Sequence, residues 1–148
     1  MKRITFNTML ILFLFGGFIS AQNQKTDNEQ VKDGLIIHIT EGYNNPHRVL
    51  MSLKMATVMA GDKDIIIYLD INAVQLVLKS SKDLSMDGFE PLMKMLKTLI
   101  NDKVGIYVCP TCLKVAGYSE SDLIPGVKLA QKEMFFNFTK GRIVTLDY

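Results

Sequence analysis

Fourteen consecutive residues, Val104–Gly117 (VGIYVCPTCLKVAG), constrain this chain more than any other stretch. Val104, Ile106 and Val108 alternate with Gly105 and Tyr107, which predicts a buried strand. The strand ends at Cys109-Pro110-Thr111-Cys112, and a helical pattern starts at once. Pro110 suits the first helical position, where its fixed φ helps and its missing N–H costs nothing. Cys109 then falls at the N-cap and Cys112 one turn inside, on nearly the same side. A thiolate at Cys109 faces unpaired backbone N–H groups and the positive helix end, both of which favour its ionised form. These are the only two cysteines in the chain.

The N-terminus has the pattern of a secretory signal. Lys2 and Arg3 precede the apolar run Met9–Ile19, and Ser20-Ala21 offers a cleavage point before Gln22. The run is about half the length needed to span a bilayer, so no stable membrane insertion is expected once residues 1–21 are removed. The signal takes two of the 17 basic residues and none of the 15 acidic ones, so the remainder is formally neutral. That excludes the basic footprint of a nucleic-acid binder. Residues 22–33 are expected to be a flexible leader and residues 34–148 one globular domain. Export places the protein outside the cytoplasm, in the periplasm, where a Cys109–Cys112 disulfide is a natural resting state. So small a loop would restrict the unfolded chain little, which favours chemistry over a structural staple.

Apolar runs alternate with helical patterns along the rest of the chain. Leu35–Thr40 and Asp64–Leu69 are predicted strands; Val127–Ala130 and Arg142–Asp147 follow the cysteine strand as two more. Between them lie a helix at His47–Ala60, helical turns at Asn72–Leu78, a helix at Gly88–Ile100 capped by Asp87, and a helix at Gln131–Thr139. On the first helix Val49, Leu53, Ala56 and Ala60 form one apolar stripe. Met51, Met55, Val58 and Met59 form a second, roughly opposite, and this predicts a contact with another subunit. The order implies an α/β sandwich with a mainly parallel sheet. The carboxyl ends of parallel strands share one edge, where sites usually form. Thr40-Glu41, Asp70 and Cys109 should stand along it.

The pieces HIT-EGYNNPHRVLMSLKMA and IYVCPTCLKVAG resemble the DsrE/DsrF-like family, and the resemblance extends to the terminal TLDY. It implies a three-layer α/β/α sandwich of about five strands and assembly into trimers or hexamers. In sulfur-relay members a cysteine at the end of this strand carries sulfur as a persulfide, and Cys109 matches that position. Other members place a cysteine one turn later, matching Cys112. The chain departs from relay members in its signal and in having both cysteines.

Three uses of the pair compete. The leading one is sulfur or persulfide transfer through Cys109, with Cys112 as resolving thiol and an unknown protein or small thiol as donor and acceptor. A dithiol redox protein would use the same pair. Soft-metal binding, or a non-catalytic oligomeric binding module, is the third; two thiolates suit Cu(I), but no metal site or cofactor is assigned. His47, Glu41, Asn44 and Asp70 are edge candidates for binding a substrate, and His47 for orienting an anion or assisting proton transfer. His38, inside the first strand, reads as a satisfied buried histidine. Phe135, Phe136 and Phe138 read mainly as core.

Overall fold

The computed structural model describes residues 31–148; the expected signal at residues 1–21 and most of the expected leader lie outside the described residues. Five strands form one sheet, β1 (Gly34–Ile39), β2 (Asp64–Leu69), β3 (Gly105–Val108), β4 (Val127–Leu129) and β5 (Ile143–Asp147). Their spatial order is β4-β3-β2-β1-β5 and every pairing is parallel. The helices are α1 (Pro46–Met59), α2 (Leu92–Asn101), α3 (Pro110–Val115) and α4 (Met134–Asn137), with a 3-10 helix at Ile71–Val77.

Strands β1 to β4 step across the sheet in one direction, and right-handed crossovers put their connecting helices on one face. Ile37, Ile39, Ile67, Leu69, Ile106 and Val108 point into that layer and are fully buried. They meet Val49, Leu50, Leu53 and Ala56 of α1, Leu92, Leu96 and Leu99 of α2, and Leu113 of α3. The return from β4 to β5 runs the other way and so crosses the opposite face. That third layer is thin: its only helix among the described residues is α4, from which Phe135 sets its ring edge-on to Tyr68 at 5.1 Å.

Several boundaries differ from the sequence reading. Helix α2 begins at Leu92, because Pro91 disfavours helical backbone at Glu90 and Gly88 takes a left-handed turn at φ 85°. Its first turn is satisfied by Asp83, whose Oδ1 accepts from the Met93 N–H at 3.0 Å, and not by Asp87. The segment expected to be helical over Gln131–Thr139 keeps only four helical residues. The chain there must cross the sheet to its far edge, where the Thr139 hydroxyl donates to Lys32 O at 2.6 Å. That bond and the Asp33–Arg142 ion pair tie the last two leader residues to the sheet. The second stripe of α1 is partly used within the subunit: Met55 and Met59 pack against the core, while Val58 stays 64% exposed.

Candidate active site at the carboxyl edge of the sheet

Cys109 follows β3 directly, and its N–H donates to Leu69 O at 2.9 Å. This bond extends the β2–β3 ladder by one step and sets Cys109 beside Asp70. The backbone then turns: Cys109 is the N-cap of α3, with φ −59° and ψ 116°, and Pro110 is the first helical residue. Its sulfur accepts the Cys112 N–H at 3.4 Å. Both cysteines are free and half-buried.

The two thiols are electrostatically unequal. Burial works against ionisation of Cys109, but the N–H and thiol of Cys112, the Tyr68 hydroxyl and the Thr111 N–H together hold it below the usual thiol range. Cys112 is pushed the other way. The Ile71 N–H favours its thiolate, yet the Cys109 sulfur, burial and the negative charges of Cys109 and Asp70 outweigh that donor. The arrangement therefore favours ionisation of Cys109 over ionisation of Cys112.

Ile71 reaches Cys112 through an unusual backbone. It is β-branched and yet left-handed, with φ 46°, a conformation that costs such a residue energy. Its side chain is 59% exposed. With Val115, also exposed, it flanks a shallow cavity of about 360 Å³ into which Cys112 opens.

Asp70, alone among the edge candidates, joins the cysteines. Its carboxylate lies 3.0 Å from His38 Nε2, outside hydrogen-bond alignment, and Asp147 lies 2.9 Å from His38 Nδ1. Glu41 and Asn44 instead close their own loop: Asn44 Nδ2 donates to Glu41 Oε2 at 2.6 Å and Asn44 Oδ1 accepts the Gly42 N–H at 3.0 Å. His47 is exposed and its ring packs edge-on against Phe89 at 5.5 Å. Among the described residues none of these three hydrogen-bonds to the cysteine pair. No cluster of three or more His, Cys, Asp or Glu side chains suited to a metal ion occurs among the described residues.

Sequence reasoning missed Tyr68 and undervalued His38, which is half-buried and paired with two carboxylates. The signal was period-2 phase: Tyr68 and Asp70 share the face of β2 turned away from the helices, and His38 is the register partner of Tyr68.

A strand that ends in a capping cysteine, in an all-parallel five-stranded sheet, agrees with the matching family model, the DsrE/DsrF-like family, which covers residues 33–140. The chain belongs to the DsrE/DsrF-like family. Among solved structures the DsrE/DsrF-like chain is similar to the ychN protein from E. coli, at 20% identity over 78% of this chain and 100% of that one, with a TM-score of 0.58. It is also similar to MTH1491, a protein of unknown function from Methanobacterium thermoautotrophicum, at 17% identity over 79% of this chain and 100% of that one, with a TM-score of 0.56. At these identities the likeness is one of fold. No curated protein matches the chain.

Proposed function

We propose that this DsrE/DsrF-like protein transfers sulfur as a persulfide on Cys109, with Cys112 as the resolving thiol. The observation that carries the reading is the cap itself: the Cys112 N–H donates to the Cys109 sulfur at 3.4 Å, and Tyr68 nearby also favours charge on that sulfur. In the loading step the Cys109 thiolate attacks the outer sulfur of a persulfide or polysulfide donor. The donor S–S bond breaks, its inner sulfur leaves as a thiolate, and Cys109 carries S–SH. An acceptor thiolate then attacks that outer sulfur and Cys109 leaves as a thiolate, with no net oxidation. A low-pKa thiol is a good leaving group, so the same electrostatics serve both steps.

Cys112 opens a second exit. Its thiolate attacks the Cys109 sulfur, hydrosulfide departs, and a Cys109–Cys112 disulfide forms. The sulfane sulfur gains two electrons and the thiol pair loses them, so an external dithiol must reduce the disulfide before another cycle. Wild-type protein, reduced and loaded with inorganic polysulfide, is expected to release one hydrosulfide for each disulfide formed. Disulfide formation with no sulfide release and no sulfur on Cys109 would favour plain dithiol redox chemistry, for which the same facing thiols also suffice.

The reading includes export to the periplasm, supported by the signal-like residues 1–21, and work as a trimer or hexamer. Exposed Val58 on α1 supports the assembly. Val58→Asp should shift sedimentation toward monomer; a wild-type monomer at tens of micromolar would remove the assembly from the account.

A further inference from the structure

The face of the sheet turned away from α1 and α2 carries a cross-strand row of which the persulfide chemistry uses only Tyr68. Asp147, His38, Tyr68, Tyr107 and Lys128 are successive register partners on β5, β1, β2, β3 and β4. His38 is the hub of this row. Its two ring nitrogens lie 3.0 Å and 2.9 Å from Asp70 and Asp147, and its ring stacks on Tyr68 at a centroid distance of 5.3 Å. Asp70 is the inner carboxylate, with a side chain only 18% exposed, and its Oδ1 is buried with no hydrogen-bond partner among the described residues. A buried carboxylate oxygen without a donor demands a nearby cation.

We propose that His38 is a positioning residue for the cysteine pair: its imidazolium, clamped between Asp70 and Asp147, cancels the carboxylate charge nearest the thiols and braces the Tyr68 ring beside Cys109. The inference rests on Cys109 being the working thiolate, but not on what that thiolate carries. Asp70 follows Leu69, whose carbonyl binds the Cys109 N–H, so an uncompensated Asp70 charge would act on both sulfurs across one strand spacing. His38 is two strands away from Cys109, roughly 10 Å, so its cation acts mainly through Asp70. The titratable groups that face His38 are Asp70 and Tyr68 from β2 and Asp147 from β5; Cys109 and Tyr107 on β3 and Lys128 on β4 lie further along the edge or the row. Burial opposes the charge on His38, but the two carboxylates outweigh it and raise its proton affinity above that of a free imidazole.

Linkage makes the proposal testable in both directions, because two coupled protonation sites must shift each other equally. In reduced His38→Gln the rate of Cys109 alkylation near pH 6.5 should fall about three- to fivefold, the size of a charge effect over such a distance. The double variant His38→Gln/Asp70→Asn should recover most of that loss, which a purely structural role for His38 would not produce. Conversely, NMR titration of the His38 ring should show its midpoint lowered by the same factor in Cys109→Ser, with His47, the only other histidine, unmoved. That arm needs only wild-type and Cys109→Ser protein, so it decides the matter even when His38→Gln does not fold. An unchanged His38 midpoint in Cys109→Ser, or a double variant as slow as His38→Gln, overturns the proposal. Coupling without any sulfur on Cys109 would leave it standing and remove only the persulfide reading.

Discussion

The backbone N–H of Cys112 points at the sulfur of Cys109 across 3.4 Å. Cys109 thus caps the helix that carries Cys112 in its first turn, and negative charge is favoured on the capping sulfur over its partner. The short α3 exists to hold this relation: Pro110 fixes its start and Gly117 turns the chain away at φ 85°.

That relation predicts which thiol reacts first. In the reduced protein near pH 6.5, iodoacetamide should modify Cys109 at least several-fold faster than Cys112, as expected for thiols shifted in opposite directions. Peptide mapping after a brief exposure measures both rates at once. Equal rates would mean that the cap does not separate the two sulfurs.

His38 should leave a signature in stability as well as reactivity. Its pKa in the folded protein is raised: burial opposes the proton, but Asp70 and Asp147 outweigh it. The folded state therefore binds this proton more tightly than the unfolded chain, whose histidine titrates near about 6.5. The stabilisation is complete below that value and is lost as pH rises through the raised folded pKa. Urea midpoints of wild type and His38→Gln should accordingly differ most at a pH below the unfolded value and converge as the pH rises past the raised folded pKa. A gap that widens with pH would contradict the sign.

Ile71 offers a backbone test. At φ 46° an isoleucine is strained where glycine is not, and its side chain is largely in water. Ile71→Gly should be neutral or stabilising by roughly 0.5–1 kcal/mol, against the usual loss for glycine. Urea denaturation measures this. A loss above about 2 kcal/mol would show that the side chain is anchored by contacts that its exposure does not reveal.

Much of this was legible in the sequence, for physical reasons that also explain the rest. LIIHIT, DIIIYL and GIYV had to be strands because each places an unbroken apolar set on the buried face. Proline after Cys109 fixed the cap and the direction of its sulfur. The helix near Gly88 was misplaced because Asp87 has the chemistry of a cap, whereas the true donor–acceptor partner, Asp83, sits ten residues before Met93 in a folded-back loop. His47 looked like a site residue from its place at the start of α1, but the loop turns its ring toward Phe89. The His38 cluster joins residues as far apart as His38 and Asp147, and only strand order brings them together. Nothing local announces that β5 returns to lie beside β1.

The most direct test of the account is to locate the sulfur. Reduced Cys112→Ser and Cys109→Ser proteins should each be exposed to inorganic polysulfide, trapped with an alkylating agent and mapped by peptide mass spectrometry. Cys112→Ser should carry a stable additional sulfur on Cys109, because the thiol that would release it is gone, and Cys109→Ser should carry none. Persulfide accumulating on Cys112 in Cys109→Ser, with Cys109 left unmodified in the companion variant, would contradict the assignment of Cys109 as the sulfur carrier.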